Sequence, residues 1–104
     1  MRRKMRAYLN FAIVSQYLFL FADVKIINRF DYHERLKNFE VRIGVNTDNL
    51  QNPTCSDRVT SVGQGAALSL SCDPPIPGRY VSVQMFGEGI LTMCEVMVYS
   101  RVGK

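Results

Sequence analysis

The stretch "NFEVRIGV", residues 38–45, alternates apolar and polar side chains with a period of two: Phe39, Val41, Ile43 and Val45 fall on one face, Glu40 and Arg42 on the other. Successive strand side chains point to opposite faces, so this pattern specifies a half-buried β-strand and fits no helix. It recurs. "ALSLSC" sets Leu68, Leu70 and Cys72 against Ser69 and Ser71, and "RYVSVQMF" sets Val81, Val83 and Met85 against Ser82 and Gln84. "MCEVMVY" puts Cys94, Val96 and Val98 inward with Glu95 outward, and "VKIIN" adds a short β-branched run. Between the runs lie the turn clusters "NTDNLQNPT", "SVGQG", "DPPIPG" and "GEG". Short alternating strands with this punctuation, and no helical period after Ala22, predict an all-β antiparallel sandwich.

A chain of 104 residues makes one small domain. A domain of that size buries only about 60–65% of its unfolded surface, so staples or partners matter to it. The formal charge of +4 is misleading. Arg2, Arg3, Lys4 and Arg6 supply four of the thirteen basic residues, and from Asp23 onward nine basic residues meet nine acidic ones. Nucleic-acid binding requires a basic stripe that displaces counterions, and the body has none. The segment "MRRKMRAYLNFAIVSQYLFLFAD" has a basic cluster, then an apolar run from Ala7 to Ala22, the order of a signal peptide or anchor over residues 1–22. An amphipathic helix or a piece of the fold is the alternative for it. The run is too short and too polar for a membrane span, which takes about 20 apolar residues.

Enzyme chemistry finds little support. Gly63-Gln64-Gly65 and Gly87-Glu88-Gly89 do not lead from a strand into a helix and are turns, not phosphate loops. The single histidine, His33, has no second histidine to share a metal with, and no nucleophile has an obvious histidine and carboxylate beside it in sequence. Pro53 between Asn52 and Thr54 rules out a glycosylation acceptor. Three cysteines allow one pair and leave one over.

Two longer stretches carry a family resemblance. "CDPPIPGRYVSVQMFGEGILTMCEVMVY" and, upstream, "VKIINRFDYHERLKNFEVRIG" resemble the C-terminal part of the fucolectins, the eel-agglutinin-like F-type lectins, in the same order from Val24 to Tyr99. The resemblance implies a jelly-roll β-sandwich of the galactose-binding-like type, cut short on its N-terminal side, with residues 23–104 as a partial domain. No counterpart of the family's Trp-rich first part is found, and the chain has no tryptophan.

That family binds L-fucose through a histidine, an Arg-x-Asp, a second basic residue and a platform of adjacent cysteines, and it holds a calcium ion. Carried over, Arg29 and Asp31 match Arg-x-Asp, and Arg35 matches the second basic residue, one position closer to Asp31 than in the family. Tyr32 and His33 stand where the adjacent cysteines would be, and the upstream histidine falls near Lys4, where nothing fits. The resemblance also implies a Cys55–Cys72 disulfide and an unpaired Cys94. Of the calcium ligands it leaves the Cys94 carbonyl and Glu95. The implied protein is a secreted lectin of fucosylated glycans, weak in this form. The alternative is a β-sandwich fragment that binds no sugar and serves as an interaction piece of a longer extracellular protein. An uncovered apolar face comprising Phe39, Val41, Ile43, Val81 and Val83 would make such a fragment self-associate as a homo-oligomer.

Overall fold

The computed structural model describes residues 2–4, 7–8, 10–87 and 91–100, and the side chains from Ala12 onward within those ranges. Eight strands follow in order: β1 (Arg2–Lys4), β2 (Ala7–Tyr8), β3 (Asn10–Ile27), β4 (Lys37–Gly44), β5 (Val59–Ser61), β6 (Ala67–Met85), β7 (Leu91–Thr92) and β8 (Glu95–Ser100). Among the described residues there is no α-helix, only single 3-10 turns at His33–Arg35 and Asn49–Gln51. All pairings are antiparallel.

The two long strands organise the molecule. The first leg of β3, Asn10–Val14, pairs with Tyr80–Gln84 of β6, and β4 and then β5 continue that leaf on the other side of β6. The register breaks between Val14 and Phe19. The second leg pairs with the early part of β6 on one side and with β8, then β1, on the other. One six-stranded sheet thus makes both leaves, with β3 and β6 crossing from one to the other, and β2 and β7 pair apart from it. Ile13, Phe39, Val41, Ile43, Val81 and Val83 of the first leaf and Phe21, Val24, Ile26, Val96 and Val98 of the second belong to one buried cluster.

From Asn10 onward the apolar run lies in β3, and Ile13 and Phe21 are core residues. The face predicted to lie open is covered, since Phe39, Val41, Ile43, Val81 and Val83 are each no more than 1% exposed. On β8 the inward and outward residues are exchanged at its start, with Glu95 buried and Cys94 exposed, while Val96 and Val98 are buried as expected. Val45 is exposed because β4 ends at Gly44, one residue before the alternation does.

Cys55 and Cys72 form a disulfide with an S–S distance of 2.10 Å, and Cys94 is free. The bridge ties the loop after β4 to the middle of β6 across 17 residues. A loop of that length is worth about 3 kcal/mol through the entropy it removes from the unfolded chain. Alkylating the folded, unreduced protein is expected to label Cys94 alone, read by peptide mapping. Labelling at Cys55 would contradict the pairing.

Candidate functional site

At the end of β3 the chain leaves the sheet and runs through residues 28–36 before β4 begins at Lys37. Both ends of this loop are fixed. Leu36 is buried in the core at one end. At the other, Asn28 is only 2% exposed, and its side chain is saturated with hydrogen bonds. Its amide nitrogen donates to the carbonyls of His33 (3.0 Å), Val62 (3.1 Å) and Gly63 (3.0 Å), and its oxygen accepts from the Arg29 backbone N–H at 2.8 Å. A polar side chain buried without partners would cost a few kcal/mol, so this satisfaction is what permits Asn28 to sit inside.

The intervening residues are lifted toward solvent. Arg29 makes a two-pronged contact with Asp31, Nε to Oδ1 and Nη2 to Oδ2, each at 3.0 Å. The Asp31 carboxyl is held below the usual carboxylate range chiefly by the hydrogen bond from Arg29; desolvation opposes this, and the Arg29 charge adds a smaller lowering effect. Arg29 is correspondingly raised by the Asp31 hydrogen bond. The sign follows: the pair is fully formed above the ordinary carboxylate range and is lost only as pH falls through the lowered Asp31 value. The arrangement fixes the plane of the Arg29 fork and still leaves three of its five N–H groups for a ligand.

Tyr32 follows in the left-handed region, φ 54°. That conformation costs a non-glycine residue about 1–2 kcal/mol, and two cation–π contacts oppose the cost. The Arg35 guanidinium lies 4.2 Å from the Tyr32 ring centre and that of Arg29 lies 5.9 Å away. Both cations thus lie within reach of one aromatic ring, Arg35 the nearer, and the ring's negative face attracts each. No hydrogen bond from Arg35 is found among the described residues, so its donors remain for a ligand. His33 is half-exposed, with Nδ1 3.7 Å from Glu34 Oε1, a position suited to a solvated loop residue.

The loop therefore holds Arg29 against Asp31, and both Arg29 and Arg35 near the Tyr32 ring. Cys94 joins them from another direction: its backbone N–H donates to the carbonyl of Ile27, the last residue of β3. Three features were missed in the sequence. Asn28 was passed over beside Arg29, although an asparagine at a strand end is a recognised turn former. Gln64, read only as part of a glycine turn, donates from Nε2 to the Phe30 carbonyl at 2.9 Å, and Gly65 N–H donates to the Arg29 carbonyl at 3.1 Å. The stacking role of Tyr32 had no sequence signal.

The metal pair fares differently. Calcium takes six to eight oxygen ligands. Glu95 is buried in β8, Cys94 can offer a backbone carbonyl, and among the described residues no group of three His, Cys, Asp or Glu side chains lies close enough to hold an ion. These two residues do not by themselves fit a calcium site, and no step is assigned to one. The family histidine position near Lys4 lies outside the described side chains.

No family model matches the chain. Fucolectin-1 of Anguilla japonica is 34% identical over 84 residues, covering 78% of this chain, and Fucolectin-2 of the same species is 33% identical over the same length. The crystal structure of a fucolectin from striped bass serum (Morone saxatilis) superposes with a TM-score of 0.80 at 33% identity, over 89% of this chain and 32% of that one. The chain belongs to the fucolectin, or F-type lectin, family. This chain spans about half the length of the curated fucolectins it matches, 47% of Fucolectin-1. A fucose binding module of Streptococcus pneumoniae matches with a TM-score of 0.73 at 24% identity, over 96% of this chain and 70% of that one, which extends the shared jelly-roll fold. The relatives matched in sequence are fucolectins, so at the level of the family the match is to lectins and not to enzymes. No helix among the described residues is long and apolar enough to cross a membrane.

Proposed function

We propose that this fucolectin-family domain binds L-fucose-type sugars on secreted or cell-surface glycans, through Arg29 and Arg35 held by Asp31 and Tyr32. One observation carries the reading: on a loop anchored at both ends, an Arg-x-Asp pair of fixed geometry stands beside a second, unengaged arginine, in a chain whose relatives are fucolectins. Guanidinium N–H groups in a fixed fork suit the ring oxygen and adjacent hydroxyls of a sugar, and each charged hydrogen bond is worth about 1.5–3 kcal/mol. The apolar platform of the family is replaced by Tyr32, whose ring already lies against Arg35. Losing the histidine and that platform removes about 3 kcal/mol, or ~100-fold in affinity. Binding to a single sugar is weak, and useful avidity requires several sites at once, which makes self-association and branched glycans part of the proposal. Location outside the cell, and calcium bound with ligands beyond Cys94 and Glu95, belong to the same reading.

The test is titration calorimetry with L-fucose. The wild type is expected to give a weak saturable signal, and Arg29→Ala none. Because Asp31 stays ionised below the usual carboxylate range, binding should hold through mild acidity and fall only at lower pH. Fucose binding that survives Arg29→Ala would move the site elsewhere.

A second reading, an interaction module that binds protein instead of sugar, is favoured by the middle of β3. There Val14, Tyr17, Leu18 and Leu20 are exposed around the crossing between leaves, next to a small apolar cleft lined by Phe19, Phe21, Val98 and Ser100. Contiguous apolar exposure of this kind marks contact surfaces.

A further inference from the structure

The loop that carries Arg29 and Arg35 does not rest on the sheet alone. It is joined to a second loop, residues 62–66, by hydrogen bonds that converge on one buried side chain. Asn28 donates to carbonyls on both loops at once, to His33 on its own and to Val62 and Gly63 on the other. The backbone N–H of Asn28 donates to the Ala66 carbonyl at 2.9 Å, and Gly65 N–H returns a bond to the Arg29 carbonyl. Farther out, Gln64 Nε2 holds the Phe30 carbonyl. The Phe30 ring lies against Gly65, which sits at φ 63° and where an added Cβ would come within 3.4 Å of that ring. The backbone on both sides of Arg29 is thereby pinned, at the Asn28 oxygen on its N–H and at Gly65 on its carbonyl.

We propose that Asn28 is the positioning residue of the sugar site, clamping the arginine loop to the 62–66 loop so that affinity is set by a side chain that never touches the sugar. The physical ground is that a site's hydrogen-bond donors act at full strength only when their geometry is fixed before the ligand arrives; a loop that must order on binding gives up affinity to do so. An Asn28→Ala chain leaves the Val62 carbonyl without its donor and the Arg29 N–H without its acceptor, while the His33 and Gly63 carbonyls keep only Leu36 N–H and Ala66 N–H; the two loops then lose every side-chain bond at their buried junction and are held less firmly. The proposal rests on the fucose reading, and its test separates the two.

Three quantities are to be compared in the wild type, Asn28→Ala and Gln64→Ala: thermal midpoint, fucose affinity at low temperature where circular dichroism shows the chain folded, and the Arg Nε–H region of the nitrogen–proton spectrum. Arg29 Nε–H is held by Asp31, so it should give a sharp, slowly exchanging signal that reports loop geometry with or without sugar. Gln64→Ala removes one exposed bond, so the midpoint should stay within about 2 °C while affinity falls about threefold. Asn28→Ala should lower the midpoint and, while folded, weaken fucose at least about tenfold with loss of the sharp Arg29 signal. A folded Asn28→Ala chain with wild-type affinity and an unchanged Arg29 signal overturns the proposal. If Asn28→Ala does not fold, Gln64→Ala decides: unchanged affinity together with an unchanged Arg29 signal overturns it. If the wild type binds no fucose, the fucose reading fails on its own, and the Arg29 signal in the variants still supports or overturns the clamp.

Discussion

Deleting residues 1–22 is expected to abolish cooperative folding. The cut removes the entire first leg of β3, and with it the ladder to Tyr80–Gln84 and the pairings of Phe19, Leu20 and Phe21 with β6. Two fully buried side chains go, Ile13 and Phe21. Burial of such side chains stabilises by about 1.5–3 kcal/mol each, before any cavity or strand-pairing term. A domain of this size has a total stability of only about 5–15 kcal/mol. The loss also leaves the middle of β6 as an open edge, which invites association. Scanning calorimetry and sedimentation on both chains check this. The full chain should show one cooperative transition, and the shortened chain should show none, or aggregate. A shortened chain that melts cooperatively as a monomer would mean that the first leg of β3 adds nothing to the sandwich.

The second large effect belongs to Gly78→Ala. Gly78 is buried where β6 passes β4, and a Cβ there would lie 2.8 Å from the backbone nitrogen and oxygen of Gly44. The obstacle is main chain in a paired strand, so it cannot rotate away as a side chain would. Nor can Gly44 retreat, because its own α-carbon faces the Asn52 side chain. That side chain is buried and closes its loop by accepting from the Asn46 N–H and donating to the Asn46 carbonyl, both at 3.0 Å. Overpacking in such a place costs about 3 kcal/mol, or a fall of ~12–20 °C in Tm. Denaturant unfolding of Gly78→Ala against Arg79→Ala, whose side chain is exposed, measures the difference. Equal stability of the two would contradict the close approach.

Particular residues show how far the sequence could be read. The strict alternation of Phe39, Val41 and Ile43 names a buried face because β4 is covered on one side only. Val81, Val83, Val96 and Val98 read the same way. The run from Ala12 to Ala22 defeats that logic because β3 crosses between leaves there. Ile13 and Phe21 face the core, Val14, Tyr17 and Leu18 face solvent, and the register breaks in between, so the segment looks uniformly apolar and shows no strand period. The start of β8 misled for a related reason: a strand preceded by a bend at Met93–Cys94 gives no local sign of which side it enters on. At the site, Arg29, Asp31 and Arg35 were legible through the family resemblance. Asn28 and Gln64 were not, because their partners are 34 or 35 residues away and only the fold brings the two loops together.

The most direct measurement of the central claim is an L-fucose titration of the nitrogen-labelled chain followed by nitrogen–proton correlation spectra. Saturable shifts are expected at Arg29, Tyr32 and Arg35, with smaller ones at Gln64 and Cys94, and none around Tyr17 and Leu18 in the middle of β3. Saturable shifts confined to that middle segment, or a spectrum unmoved by fucose at any concentration while the fold is intact, would contradict the assignment of sugar binding to the Arg29–Arg35 loop.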